Sequence, residues 1–203
     1  MLPELKLRFL PQTIYIFTVL NCKPLYAIID IETTGNTYKS GKITEIAIFI
    51  HDGFEIVDSF TSLINPECYI SDFITRLTGI DNEMVRTAPR FYEVARKIVE
   101  ITTNTVFVAH NVNFDYKFIQ EEFSRLGFDY QRNTMCTVRM GRKYLPGHKS
   151  YSLGTLCGEL GIQINGRHRA AGDALATVKV FEMIMDRKAQ KEAKHAPSQL
   201  RLF

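Results

Sequence analysis

The apolar residues of this chain form short continuous runs in its first third and recur at helical spacing in much of the remainder. Two runs, at 25–31 and 43–50, are bounded by polar or turn-forming residues, and the segment 55–64, closed by Asn65-Pro66, is the return strand after the second run. Short apolar runs between turn residues are typical of buried strands. The Asp52-Gly53 pair between the second run and the return strand favours a tight hairpin. The pattern therefore predicts three consecutive antiparallel strands.

Capping residues divide the rest of the chain into helices and further strands. Gly79, Gly127 and Gly161 each follow a helical segment, as helix-ending glycines do, and Asp81 and Ser152 are suitable N-caps. This succession predicts one α/β domain with a mixed sheet. We expect helices at 72–77, 90–100, 113–126, 152–160 and 170–185, a short helical piece after Asp81, and two more strands at 106–109 and 134–138.

The last predicted helix and the chain ends complete the expected organisation. One face of the helix at 170–185 carries Leu175, Val178, Phe181 and Met185, which we expect to be buried together. The polar composition after it predicts a flexible tail. We divide the chain into an N-terminal extension (1–24), a folded domain (25–187) and this tail (188–203).

Composition narrows the class of protein without giving its function. The 203 residues, 45% hydrophobic and 23% charged, are typical of one globular domain. The apolar segment 14–20 is too short to span a bilayer and lacks a signal-peptide cleavage site. Four scattered cysteines suit a reducing compartment and argue against a zinc site. We expect a cytoplasmic protein that does not associate with membranes.

The net charge of +3 does not by itself predict nucleic-acid binding. From Arg187 to the end, five Lys or Arg residues and one acidic residue give +4, which leaves −1 for the preceding body. Any binding partner therefore has to be inferred from particular residues rather than from the overall charge.

The first strand ends with two carboxylates on one face. Asp30 and Glu32 are two residues apart, and alternate side chains of a strand point to the same side. Neighbouring carboxylates repel each other and resist burial unless a cation is present. Taken alone, the pair is more typical of a strand that runs out into an acidic loop, because charges at strand ends are usually solvated.

Two more acidic residues and a histidine stand at predicted helix starts. Asp115 follows the strand at 106–109, and His168 precedes Asp173 by five residues at the opening of the last helix. An acid in a first turn is ordinarily explained by the helix dipole. The small residues between His168 and Asp173 are expected to let this helix start pack closely against a neighbour.

Together these residues predict a site for two divalent cations, Mg²⁺ or Mn²⁺. Hard cations prefer several carboxylate oxygens, and two such ions would balance four negative charges. Two ions roughly 3.5–4 Å apart can stabilise both the attacking and the leaving oxygen of a phosphodiester. A histidine with a pKa of about 6.5 can take a proton from water near neutral pH.

Three sequence motifs resemble those of the DEDDh (DnaQ-like) 3′→5′ exonucleases, the family that includes the proofreading epsilon subunit of bacterial DNA polymerase III. The motifs begin at Asp30 (DIETTG), His110 (HNVNFD) and His168 (HRAAGD), and the similarity extends over about residues 26–185. The resemblance implies an α/β, RNase H-like fold with a mixed five-stranded sheet flanked by helices.

The resemblance also implies a role for each acidic residue and for the histidine. Asp30 would bridge both metal ions. Glu32 and Asp173 would bind the ion that holds the attacking water, and Asp115 would serve the second ion, partly through water. His168 would be the general base.

Contacts to the terminal nucleotide are implied for four further residues. Thr33 and Thr34 would lie beside the nucleotide, and Leu77 and Phe114 would contact its base or sugar, although both are equally compatible with core packing. Glu45, where relatives often carry an acid, is interpreted as a supporting or structural residue rather than a catalytic one.

The chain ends in a sequence that resembles the QLxLF peptide by which bacterial replication proteins bind the sliding clamp. Leu200, Leu202 and Phe203 would enter an apolar groove, and Gln199 would fix their register. A flexible tether would raise the local concentration of the enzyme at DNA. A frayed apolar end, or one that docks on its own domain, would account for the same residues.

The sequence leaves three functional hypotheses open. The first is an exonuclease that removes nucleotides from single-stranded or frayed DNA 3′ ends, in proofreading with a DNA polymerase or alone in repair. The second is an exoribonuclease on the same scaffold, which would require contacts to the 2′-hydroxyl. The third is a non-catalytic module that binds the sliding clamp.

Overall fold

The structure, a computed structural model, describes residues 24–195. Within them three strands come first, and seven helices with two further strands among them follow. The strands are β1 (Leu25–Thr33), β2 (Ile43–His51), β3 (Ile56–Leu63), β4 (Thr105–Ala109) and β5 (Asn133–Cys136). The helices are α1 (Asp72–Thr78), α2 (Asn82–Arg86), α3 (Phe91–Ile101), α4 (Asn113–Arg125), α5 (Thr137–Tyr144), α6 (Leu153–Leu160) and α7 (Ala170–His195).

The strands form one mixed sheet in the order β3-β2-β1-β4-β5. β2 pairs antiparallel with both β1 and β3, whereas β4 runs parallel to β1 and to β5. The Asp52 carboxylate accepts hydrogen bonds from the backbone N–H groups of Phe54 and Glu55 and so closes the β2–β3 hairpin. The predicted mixed five-stranded sheet and its antiparallel start are confirmed.

Alternation along β1 distributes its side chains between two cores. Ala27, Ile29 and Ile31 face the layer built by α3 and α4. Tyr26 and Ile28 face the opposite side, where α7 packs. Because the even-numbered side chains of β1 share one face, Asp30 and Glu32 lie on the side of the sheet that α7 covers.

The end of β1 extends beyond its parallel neighbour. The pairing of β1 with β4 stops at Ile28 and Val108, whereas the pairing with β2 continues to Thr33. The chain leaving β4 therefore turns into α4 beside the last residues of β1. This geometry brings the first turn of α4 to the carboxyl end of β1.

Small residues bring the start of α7 close to the sheet. Ala170 and Ala174 are fully buried and pack against Ala47 of β2. A Cβ atom at Gly172 would overlap the carbonyl oxygens of Asn165 and Gly166. The expectation that small residues between His168 and Asp173 let the helix start pack closely against a neighbour is therefore confirmed. This close packing requires a glycine at position 172.

Two helix predictions need correction. α7 continues to His195 rather than ending near Met185, so residues 188–195 of the predicted tail are helical. The apolar face ends there, but Lys, Ala, Gln and Glu follow, and these residues favour helix on their own. Leu175, expected in the core, is 43% exposed because Val178 and Phe181 carry the buried face without it.

The segment after β4 also departs from prediction. The fifth strand ends at Cys136, and α5 begins at Thr137, where no helix was expected. Gly141 in its middle weakens the helical signal of the sequence. The structure explains this glycine, since a Cβ atom there would lie 3.3 Å from the Tyr151 ring.

None of the helices within residues 24–195 combines the length and the apolar character that a membrane span requires.

Candidate active site

Three carboxylates meet at the carboxyl end of β1. Asp30 and Glu32 extend from the strand, and Asp173 comes from the first turn of α7. One oxygen atom from each lies within 4.8 Å of the others. Residues separated by about 140 positions in the sequence thus form a cluster with the donor atoms of a metal site.

Asp115 approaches this cluster from α4. It is only 4% exposed, and it is not one of the three residues whose oxygens share the 4.8 Å limit. Among the neighbouring charges that raise the pKa of Asp30, however, that of Asp115 has the largest effect. The four predicted acidic residues therefore converge, with Asp115 beside Asp30.

Burial and mutual repulsion weaken the acidity of these carboxyl groups. Burial raises the pKa of Asp30 well above its usual range, and its four acidic neighbours add to the rise. Burial, followed by the charges of Asp173 and Glu45, raises the pKa of Glu32 to about 7. Burial raises the pKa of Asp115 to about 8, although the N–H groups of Asp115 itself and of Ile31 oppose the rise.

His168 lies at the entrance of α7 beside Asp173. Its backbone N–H donates a hydrogen bond of 2.9 Å to Asp173 Oδ2. Its backbone is left-handed, with φ of 59°, a conformation that non-glycine residues seldom adopt. Burial raises the pKa of Asp173, whereas this hydrogen bond and the charge of His168 lower it. The hydrogen bond thus links His168 to the first turn of α7.

The site contains an ion pair that the sequence analysis did not identify. Arg169 binds Glu45 of β2 through two hydrogen bonds of 3.0 and 2.7 Å. Glu45 was interpreted as a supporting residue, but Arg169 was given no role. These residues are 124 positions apart, so no local pattern could have paired them.

Comparison with known proteins identifies the family. An exonuclease family model, RNase T, matches residues 27–181. The chain belongs to this exonuclease family. All four acidic residues and His168 lie within the matched exonuclease domain, and the resemblance to the DnaQ-like exonucleases is confirmed.

Curated relatives of this exonuclease domain are much longer proteins. The chain is 37% identical over 162 residues to the PolC-type DNA polymerase III of Caldanaerobacter subterraneus, covering 80% of this chain and 12% of that protein. It is 36% identical over 170 residues to the 3′-5′ exonuclease DinG of Bacillus subtilis, covering 83% and 18%. The chain thus spans less than a fifth of the length of either relative.

Solved exonucleases share the fold. Exonuclease X in complex with 5′ overhanging duplex DNA superimposes with a TM-score of 0.66 and 27% identity, over 81% of this chain and 93% of that one. Escherichia coli exonuclease I in complex with a dT13 oligonucleotide gives 0.73 and 18%, over 84% and 43%. The predicted RNase H-like fold is confirmed.

The hydroxyl groups of Thr33 and Thr34 bond within the exonuclease domain. Thr33 Oγ1 donates to the carbonyl oxygen of Gly35 at 2.8 Å, and Thr34 Oγ1 accepts from the backbone N–H of Lys42 at 3.0 Å. These hydrogen bonds stabilise the conformation of the segment that follows β1. Their contact with a nucleotide stays a prediction.

The two apolar residues assigned to the substrate differ in exposure. Leu77 on α1 is 45% exposed, so its side chain is available to a ligand. Phe114 is half-buried and packs against Phe118, with ring centroids 4.9 Å apart. Its position next to Asp115 keeps it near the site. The clamp-like residues Gln199, Leu200, Leu202 and Phe203 lie outside the described residues.

The donor set fits hard divalent cations. The cluster offers only carboxylate oxygens, which Mg²⁺ and Mn²⁺ prefer over softer ligands. Cations placed among these carboxylates would offset the repulsion that raises their pKa values. The residues present therefore match the predicted cofactor.

We expect the metal-free domain to lose stability as pH rises. Glu32 and Asp115 bind protons more tightly in the folded state, with pKa values of about 7 and 8, than in the unfolded state, where both are near 4. Between those values the folded state holds more protons, so its advantage decreases as pH increases. In EDTA, the melting temperature should be lower at pH 8 than at pH 5.5.

An Asp115→Asn variant isolates this effect. Asparagine cannot ionise, so the melting temperature of the metal-free variant should fall less steeply between pH 5.5 and 8, and Mn²⁺ should raise it less. Asp186→Asn, on the exposed side of α7, is the control. If the melting temperature of metal-free Asp115→Asn fell with pH as steeply as that of the parent, the electrostatic account would be contradicted.

Proposed function

We propose that this chain is a metal-dependent 3′→5′ exonuclease that removes nucleotides from DNA 3′ ends. The convergence of Asp30, Glu32 and Asp173 within 4.8 Å carries the proposal. Asp115 beside Asp30, and His168 adjoining Asp173, complete the set that two-metal phosphodiester hydrolysis requires.

Each of the four carboxylates would take a distinct part in holding the ions. Glu32 and Asp173 would hold one ion, Asp115 would hold the other, and Asp30, whose pKa responds to all three, would contact both. When bound, the two ions supply stabilisation of the negative charge that develops on the attacking and leaving oxygens. The carboxylates would hold the ions at the carboxyl end of β1.

His168 supplies the proton acceptor. Its imidazole takes a proton from the attacking water, whose oxygen forms the new bond to phosphorus. The bond between phosphorus and the 3′ oxygen breaks, and that oxygen takes a proton from solvent. The released product is a nucleoside 5′-monophosphate. The left-handed turn and the hydrogen bond to Asp173 fix the backbone from which the imidazole projects.

Similarity to DNA-bound enzymes favours DNA over RNA as the substrate. The exonuclease X and exonuclease I structures contain DNA, and one curated relative is named as a DNA polymerase. Proofreading or repair is the role that these similarities favour. RNA recognition would require donors or acceptors for the 2′-hydroxyl.

Nuclease assays test the proposal and separate the three hypotheses. The full chain is incubated with 5′-labelled single-stranded DNA or RNA of the same sequence, with Mg²⁺, Mn²⁺ or EDTA. We expect DNA to shorten stepwise from its 3′ end with either ion and to stay intact in EDTA. Preferential cleavage of RNA would indicate an exoribonuclease. Cleavage of neither DNA nor RNA would favour the hypothesis of a non-catalytic module.

We also propose that the last five residues bind the sliding clamp. Gln199, Leu200, Leu202 and Phe203 supply the residues of the QLxLF-like peptide, and the similarity to a PolC-type polymerase supports a place near the replication machinery. A DNA polymerase is the further partner that this similarity suggests.

A pull-down with the purified clamp tests the tail directly. The full chain should be retained, whereas a chain ending at residue 198 should be lost. A Leu202→Ala, Phe203→Ala chain of parental length controls for the shortening and should also be lost. Equal retention of all three would remove the proposal.

A further inference from the structure

The residues expected to act on water lie on a segment outside the sheet. His168 precedes α7 and Asp173 occupies its first turn, whereas Asp30 and Glu32 belong to β1. Displacements of about 1 Å in an active site can reduce turnover substantially. The catalytic geometry therefore depends on what fixes the start of α7 to the sheet.

Glu45 connects these two parts of the site. It lies on β2 directly opposite Glu32 in the antiparallel register, and it is 7% exposed. Its carboxylate accepts two hydrogen bonds from Arg169 and a third, of 2.9 Å, from the backbone N–H of Ala170. All three donors belong to the chain between His168 and Asp173.

The charges of this pair suit its position beside the acidic cluster. A fifth carboxylate next to Glu32 would add to the repulsion, as the effect of Glu45 on the pKa values of Asp30 and Glu32 shows. The Arg169 guanidinium neutralises Glu45 and also lowers the pKa of Glu32. The pair thus brings hydrogen bonds to the site with little net charge.

Packing alone already attaches α7 to the sheet. Ala170 and Ala174 are buried against Ala47, and apolar contacts of this kind are not directional. Buried ion pairs are seldom better stabilisers than apolar residues. A two-pronged guanidinium–carboxylate contact, by contrast, is strongly directional.

We propose that Glu45 and Arg169 form a positioning pair that fixes His168 and Asp173 relative to Asp30 and Glu32. The inference rests on the proposed function, which it extends to two residues that need not touch the substrate. Glu45 orients the segment between His168 and Asp173 through its hydrogen bonds. Arg169 neutralises the charge of Glu45, which would otherwise repel the neighbouring carboxylates.

A matched ion pair elsewhere provides the control. Glu122 of α4 is 4% exposed and accepts a hydrogen bond from the backbone N–H of Ile43 at 3.3 Å. It also pairs with Arg125 at 3.1 Å and Lys42 at 3.5 Å. It therefore resembles Glu45 in burial and partners, but it lies two helical turns beyond Asp115.

The experiment compares Glu45→Gln, Arg169→Lys and Glu122→Gln in the full chain. Mn²⁺ affinity is measured by titration calorimetry without DNA, kcat and KM on single-stranded DNA, and the melting temperature in EDTA. We expect Glu45→Gln and Arg169→Lys to lower kcat and Mn²⁺ affinity by about 10–100-fold, the usual range for residues that orient metal ligands, with little change in KM. Glu122→Gln should lower only the melting temperature.

The outcomes separate this inference from the proposed function. A parent that cleaves neither nucleic acid would overturn the proposed function, while the Mn²⁺ affinities would still decide the role of the pair. If Glu45→Gln and Arg169→Lys match Glu122→Gln in Mn²⁺ affinity and kcat, the inference is wrong. If Glu45→Gln does not fold, Arg169→Lys decides, because it keeps the charge and loses only the two-pronged geometry.

Discussion

Replacing Asp30 by alanine is expected to reduce DNA cleavage by about 10³-fold or more. The pKa of Asp30 is raised by all the other acidic residues of the site, and in the proposed mechanism Asp30 would contact both ions. Metal ions contribute several kcal/mol to phosphodiester hydrolysis, and each 1.36 kcal/mol is about a tenfold change in rate. Single-turnover rates with saturating Mn²⁺ measure the loss.

The stability of the same variant distinguishes a lost ligand from a lost fold. Asp30→Ala removes a buried carboxyl group that repels its neighbours, so the metal-free variant should melt at or above the temperature of the parent at pH 8. Asp186→Ala, exposed on α7, should retain parental cleavage. Cleavage by Asp30→Ala near the parental rate would contradict the two-ion scheme.

Replacing His168 by alanine is expected to lower kcat by about 10²–10⁴-fold, the usual contribution of a positioned general base. The imidazole is lost, but the backbone N–H that donates to Asp173 remains. Mn²⁺ affinity and KM should therefore change little. Steady-state kinetics on single-stranded DNA, with calorimetry for Mn²⁺, measure both quantities.

The left-handed backbone at His168 calls for a second substitution. Alanine is disfavoured at a φ of 59°, whereas asparagine adopts this region more readily. If proton transfer is the cause, His168→Asn and His168→Ala should lose activity equally. His148→Ala, outside the acidic cluster, should retain it. Parental kcat in both His168 variants would assign proton removal to another group.

The predicted catalytic residues came from local sequence patterns together with the resemblance of three motifs to those of the DEDDh exonucleases. Strand alternation placed Asp30 and Glu32 on one face, and the predicted helix starts placed Asp115 and Asp173 in first turns. These inferences depend only on neighbours within a few residues. Gly172 shows the same, since the need for small residues before Asp173 is visible in the sequence and the structure supplies the atoms that require it.

Local patterns failed where propensity and tertiary packing disagree. No helix was predicted at α5, because Gly141 lowers its helix propensity. The glycine is needed there because the Tyr151 ring lies close to it. Leu175 fits the apolar spacing of α7 and yet lies exposed. In both cases the outcome depends on how the helix packs against the rest of the fold, which the spacing of residues within the helix does not show.

Only the tertiary structure decided how the site is held and charged. The sequence by itself determined which residues are expected to carry the chemistry, because strand alternation, helix starts and the three motifs are all local properties. The pairing of Glu45 with Arg169 spans 124 positions, and the raised pKa values of Glu32 and Asp115 come from burial and from charges brought together by folding. Hydrogen bonds, desolvation and Coulomb forces depend on distance through space, which no sequence pattern records.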